Sequence, residues 1–288
     1  MRKVPLFILG ILAAVASTRA ATTIKIATVA PDGTAWMREM RAGADAIKKH
    51  TDGRVEIKYY PGGVMGDEPS VLRKIKIGQL QGGAFTGGEL SQIEKDANIY
   101  SLPFAFKSQD EVDKVRAQLD PMLKNNFRRA GFEAVGISGG GFAYLMSVKD
   151  IKTKDDLKAA KVWVPQGDRI AEAGFQAGGV TPIPLPLADV YTSLQTGLID
   201  TVANTPAGAI AFQWHTKLKH MVDLPLTYVV GILVVDKKAF DALSADDQTA
   251  VNEELGAAFA RLEKINRDDN AQARGALEKQ GVVIFAPS

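Results

Sequence analysis

The sequence predicts an α/β protein of two lobes facing one another across a ligand cleft. Three observations predict it. Residues 23–85 read strand, helix, strand, helix, strand, the order of a parallel sheet with crossover helices. Residues 161–208 read as a second strand–helix–strand unit, KVWVPQGDRIAEAGFQAGGVTPIPLPLADVYTSLQTGLIDTVANTPAG. Finally, Val71, Gly78, Leu80 and Thr86 each stand 119 residues before Val190, Gly197, Ile199 and Thr205. Both stretches read helix, glycine stop, strand, then a threonine at the strand end.

In chain order, Thr23 to Val29 alternates as a strand and Ala30 to Gly33 is a turn. Thr34 caps a helix through Lys49, with Trp36, Met40, Ala44 and Ile47 at helical spacing. Val55 to Tyr59 is the second strand, and Pro61 to Gly66 a glycine-rich loop. Asp67 to Gly78 is a helix and Leu80 to Phe85 the third strand. Ser108 to Ala130 is helical. Gly131 to Ile137 is a strand, and Gly139-Gly140-Gly141 bends the chain before a further strand, Phe142 to Val148. This is expected to cross between lobes, with Thr227 to Val235 crossing back. Asp236 to Leu243 is a short helix, Ser244 caps a long one through about Lys279, and Gly281 to Phe285 closes as a strand. The expected division is 21–140 plus 230–267 for lobe I and 141–229 plus 268–288 for lobe II.

In the 161–208 stretch, Lys161 to Val164 is a strand ended by Pro165. Asp168 caps the helix through Ala177, and Gly178-Gly179 ends it. Pro182, Pro184 and Pro186 hold an extended crossing. Asp189 opens a helix stopped by Gly197, and Leu198 to Asn204 is a strand. The two strands end together at Trp163–Gln166 and Asn204–Pro206. Ligands of open α/β sheets bind beyond such carboxyl ends.

The N-terminus stands apart. Arg2-Lys3, an apolar run from Val4 to Ala16 and Thr18-Arg19-Ala20 make a secretory signal peptide cleaved near Ala20. The apolar run is too short to span a membrane. The formal charge of +2 belongs to this segment, because residues 21–288 carry 32 basic against 33 acidic side chains. Charge therefore gives no footprint for nucleic acid. There is no cysteine among the 288 residues. Thiol chemistry, disulfides and lipid attachment to cysteine are excluded.

No enzyme motif reads convincingly. Gly136-Ile137-Ser138-Gly139-Gly140 fits the G-x-S-x-G elbow, and Asp200 and His215 follow in hydrolase order. The elbow needs a helix after the serine, and here a strand follows, so a glycine hinge is the expected reading. His215 and His220 do not share a helix face, so no zinc site is expected. Asp67-Glu68 is ordinary helix-start acidity. No cofactor-binding fingerprint is present. Trp163 faces away from Val162 and Val164 by strand alternation, hence toward the cleft. Phe142, Tyr191 and Trp214 read equally well as core or site.

Taken together, these stretches resemble the substrate-binding proteins of TRAP (tripartite ATP-independent periplasmic) transporters, the DctP-like family. The most specific parts are Ala160-Lys161-Val162-Trp163-Val164-Pro165 and Leu187 to Asp200 (LADVYTSLQTGLID). Gly66-Asp67-Glu68, Leu102-Pro103-Phe104 and Phe240 to Gln248 support them. The resemblance implies a periplasmic binding protein fold with crossing hinge strands. It implies a receptor outside the inner membrane that closes on a small solute and delivers it to membrane-embedded transporter subunits.

The family's solutes are mostly organic acids, held by a bidentate arginine immediately before "VP". That position is Trp163 here. A second arginine after the glycine turn is replaced by Ala143. The resemblance carries Asn204, Gln166, Glu68 and Thr86 into the site, with Leu187 at a position that is often aromatic and Trp214 after a cleft-lining helix. Phe142, Tyr191 and Arg169 complete the expected ligand set, Arg169 with Lys161 as the nearby positive charge. Without the arginine, the expected solute is an organic acid or a larger, more apolar relative of one. Family chains commonly continue for tens of residues beyond the last strand, whereas this sequence stops at Ser288. Two alternatives stand beside the receptor reading: an exported hydrolase using Ser138, and a receptor for apolar ligands with a non-standard partner.

Overall fold

The computed structural model describes residues 21–287. The signal peptide expected at residues 1–20 lies outside them. The first lobe is built on five strands. β1 (Thr22–Thr28) pairs parallel with β2 (Val55–Tyr60) and with β3 (Gly82–Thr86), as β-α-β-α-β predicts. α1 (Ala35–His50) and α2 (Glu68–Lys76) make the crossovers, with Thr34 and Asp67 as side-chain N-caps. α3 (Gly87–Leu90), a 3-10 segment at Lys95–Ser101 and α4 (Gln109–Arg129) follow.

β4 (Phe132–Ser147) is one continuous 16-residue strand rather than the two segments expected around Gly139–Gly141. Its register shifts between Ala134 and Gly136 and again between Gly139 and Gly141. Two bulges thus absorb the glycines without breaking the strand.

Next come α5 (Lys154–Lys158), β5 (Trp163–Pro165), α6 (Arg169–Ala177) and β6 (Ile183–Leu185). They are followed by α7 (Val190–Thr196), β7 (Thr201–Asn204), α8 (Pro206–Ala211) and β8 (His220–Val222). β9 (Thr227–Asp236), α9 (Lys237–Asp241), α10 (Ala245–Lys279) and β10 (Val283–Phe285) complete the chain. β9 lies antiparallel between β3 and β4, so the sheet is mixed rather than all parallel.

β4 joins the lobes. Its first part pairs with β9, and Tyr144 to Ser147 pair with Asn204 to Thr201 of β7. β8 pairs with the same end and β10 runs parallel to β8. β5 and β6 attach through a single bridge, Val162 to Thr201. The expected extended crossing at Pro182–Pro186 is thus partly a strand.

α10 is the second element shared by both lobes. At 35 residues it is about 52 Å long. Val251, Leu255 and Phe259 belong to the first lobe's core with Met37, Met40 and Ile47. Leu277 belongs to the second lobe's core with Met146, Trp163, Val202 and Trp214.

The 119-residue correspondence is structural. Gly78 and Gly197 are both left-handed helix stops, at φ +76° and +75°. Thr86 and Thr205 both stand at the N-cap position of a following helix, at ψ 152°, although only Thr205 caps it with its side chain. Among the described residues no helix is long and apolar enough to cross a membrane.

Candidate functional site

The strand ends of both lobes meet at a cleft of about 1580 Å³. The first lobe lines it from Thr28, Trp36, Glu68, Phe85 and Thr86. The second lobe lines it from Val164, Gln166, Leu187, Asn204 and Phe212. The back wall is the hinge itself, with Gly140, Ala143, Val229 and Gly231.

Trp163 contributes to this wall while being only 4% exposed. Its ring meets Trp214 edge-on at 5.3 Å, and its indole N–H donates to the Leu185 carbonyl at 3.0 Å. That nitrogen is therefore spent within the fold. What Trp163 offers a ligand is aromatic surface.

Four residues of the expected set do not line the cleft. Trp214 is 1% exposed and stacked on Phe212 at 5.4 Å, so it is core. Phe142 packs edge-on against Tyr228 at 5.2 Å, where the crossing strands meet the first lobe's core. Tyr191 lies under the Lys217 ammonium. Arg169 begins α6 and is exposed. A β-strand can bury either face and a helix only part of its stripe, so alternation alone did not separate these from the lining.

Glu68 occupies the first turn of α2. One carboxylate oxygen accepts from the Thr86 N–H and the other from the Thr86 hydroxyl, both at 2.8 Å. Burial pushes its carboxyl up to about 7, against the opposing pull of those two bonds. Asn204 Oδ1 accepts from the Thr205 N–H at 2.7 Å, which leaves its amide NH₂ as a donor.

The sequence reading missed several lining residues. Glu89 is 7% exposed and lines the cleft, and burial pushes its carboxyl up to about 7. Asp168 caps α6 with one oxygen, accepting from the Ala171 N–H at 3.0 Å. Its other oxygen faces the first lobe, 3.3 Å from where a Cβ on Gly88 would sit. Trp36, read only as part of the apolar stripe of α1, lies edge-on to Phe259 and over Gly231, where a Cβ would fall 2.2 Å from its ring. No local motif marks Glu89 or Asp168, because only tertiary folding brings them to one cleft.

The hinge is tied by polar side chains of α10. Asn266 Nδ2 donates to the Gly139 carbonyl at 2.8 Å, and Glu263 accepts from the Gly139 N–H at 2.6 Å. Arg116 pairs with Glu263 and with Asp120.

The hydrolase alternative fails on this geometry. Ser138 is wholly buried inside β4, and its hydroxyl approaches only Glu263 and the Gly139 carbonyl, each at 3.5 Å. Asp200 serves Lys149, Thr201 and the Lys161 N–H, and His215 contacts the Ala209 carbonyl. No elbow and no triad form. Among the described residues, no three acidic or histidine side chains are placed to hold a metal ion.

The sequence model of the bacterial extracellular solute-binding proteins, family 7 (DctP), matches residues 26–288. The C4-dicarboxylate-binding periplasmic protein DctP of Rhodobacter capsulatus is 23% identical over 84% of this chain and 73% of its own. A TRAP periplasmic solute-binding protein of Xanthobacter autotrophicus Py2, solved with β-D-galacturonate, superposes at a TM-score of 0.87. It is 21% identical, over 92% of this chain and 89% of its own. A counterpart from Desulfovibrio salexigens, solved with orotic acid, superposes at 0.86 with 20% identity, over 93% and 86%.

Proposed function

The chain belongs to the bacterial extracellular solute-binding proteins of family 7, and from that premise we propose that it captures a small organic solute in the cleft between its lobes and presents the closed form to TRAP-type membrane subunits. It is a binding receptor and not an enzyme. The observation that carries the reading is the cleft of about 1580 Å³ lined by both lobes. Three shared elements, the bulged strand β4, its partner β9 and the long helix α10, link those lobes.

A ligand that touches both lobes only in the closed form shifts the open–closed population by its differential affinity. Residues 1–20 act as the export signal, with cleavage near Ala20. The lobes divide as 21–140 with 230–267 and 141–229 with 268–288, a division supported by the separate cores around Ile26 and Val202. Trp163, Gln166, Asn204, Glu68, Thr86 and Leu187 contact the solute. This assignment is supported by their place on the cleft wall.

Relatives of known structure hold galacturonate, glucuronate and orotic acid. Here the two positions that the resemblance reserves for arginine, Trp163 and Ala143, are uncharged and both line the cleft. The solute is therefore less acidic, larger or more apolar than a C4-dicarboxylate.

The test is a thermal-shift screen of the mature chain against acids, sugars, amino acids and apolar solutes. Saturation at about 100 times the dissociation constant adds roughly 2.7 kcal/mol. Absence of any stabilising solute contradicts the reading.

A further inference from the structure

The charge lining the cleft is one-sided. Seven carboxylate side chains line it, against two cationic ones. Both cations, Arg38 and Lys154, are exposed at the rim, and Arg38 donates its guanidinium to the Gly33 carbonyl at 2.7 Å. Four of the acids, Asp67, Glu68, Glu89 and Asp168, are less exposed than these cations. Asp67 and Glu68 open α2, Glu89 follows β3, and Asp168 comes from the other lobe.

These groups feel one another. Glu68 and Glu89 are both raised first by burial and then by the neighbouring carboxylates, Asp168 among them. Their hydrogen-bonding capacity is only partly used. Glu68 accepts two bonds, both from Thr86, although a carboxylate offers about four acceptor sites. Glu89 is more than nine-tenths buried. One of its oxygens accepts from Gln92 at 2.7 Å, and the other has no hydrogen-bond partner among the described residues. Asp168 turns its second oxygen toward Gly88, and beyond it lies Asn98, whose buried Oδ1 also has no partner.

Unpaired carboxylates out of water are costly, and a solute carboxylate would add a further negative charge with no fixed cation to receive it. A positively charged donor does the reverse, since charge-assisted bonds are the strong ones. Among the described residues no three acidic or histidine side chains are close enough together to hold a metal ion.

We infer that the solute carries an ammonium or another cationic nitrogen, seated between Glu68 and Glu89 of the first lobe and Asp168 of the second, with its apolar body against Trp36, Val164 and Leu187. The inference rests on the receptor reading and names the solute class for that same cleft. Closure then brings Asp168 onto the cation and completes its shell from both lobes.

The test uses matched compounds on one skeleton: D-glucosamine, D-glucose and D-glucuronate, and benzylamine, benzyl alcohol and benzoate. Binding is read by thermal shift and calorimetry at pH 7.5 on the mature chain. The amine of at least one series is expected to bind while its acid does not. Glu89→Gln and Asp168→Asn are each expected to weaken that amine about tenfold or more, with unliganded melting temperatures near wild type. Asp45→Asn, exposed on α1 and outside the cleft lining, should leave the affinity within about twofold. If the acids bind and the amines do not, the inference is overturned and the receptor reading stands. If no compound of any charge class binds, both are contradicted.

Discussion

Asn270 of the long helix donates to the Gly140 carbonyl at 2.7 Å, and its own oxygen accepts from the Ala207 N–H at 3.1 Å. One amide thereby ties the bulge of the crossing strand to the start of α8 in the second lobe. Replacing Asn270 by Ala leaves both backbone groups unpaired. The expected loss is about 1–3 kcal/mol, read as a lowered urea midpoint. Gly141→Ala should cost more than a typical surface change, because Gly141 sits at φ +107° and its Cβ would fall 2.6 Å from Asn270 Nδ2.

Glu68 and Glu89 give the cleft a pH signature. Their carboxyls are raised to about 7 in the fold from an ordinary value near 4.5. The folded chain therefore holds their protons more tightly than the unfolded chain. That contribution is fully present below about pH 4.5 and is lost as pH rises through about 7. Wild type should lose more melting temperature between pH 5 and 8 than Glu68→Gln or Glu89→Gln. An identical slope in all three contradicts the assignment.

Trp163→Arg separates packing from selectivity. The indole is 4% exposed and packed on Trp214, so its loss should lower stability by about 3 kcal/mol. The arginine should at the same time give the cleft a measurable response to D-glucuronate. Loss of stability without that gain would show that the position does not face the solute.

The lobes also touch at the mouth of the cleft. A Cβ on Gly174 of α6 would lie 3.3 Å from Pro103 of the first lobe. Gly174→Phe should hold the lobes apart and weaken any solute by about fivefold to hundredfold, with little change in unliganded melting. Unchanged affinity would show that α6 does not close onto Pro103.

Much of the fold was legible because its signals are local. Ser244 and the acidic first turn mark the start of α10, and the helix runs to Lys279 as expected. The two glycine stops and two threonines at N-cap positions, 119 residues apart, gave the paired units. Elements set by distant pairing were not legible. β6 is three residues between prolines and exists only because β5 lies beside it. β4 looked broken because three glycines suggest a bend, whereas pairing with β9 carries the strand through them.

The site divides in the same way. Gln166, Asn204 and Thr86 sit at or just beyond strand ends, a position readable from the sequence, and they line the cleft. Trp214 and Phe142 read as core or site alike, and both pack with the cores, Trp214 from a 3-10 turn and Phe142 from inside β4. Glu89 and Asp168 are 79 residues apart and carry no motif, so their meeting was visible only in three dimensions.

The most direct test of the closing-cleft account is an inter-lobe distance. The chain has no cysteine, so Val64→Cys and Asp155→Cys accept dyes without competition. Both sites are exposed beside the cleft, Val64 at 71% and the Asp155 side chain at 88%. Single-molecule energy transfer should show an open and a closed population, shifting to the shorter distance with the solute that most stabilises the protein. A saturating solute that leaves the distance distribution unchanged would contradict the account.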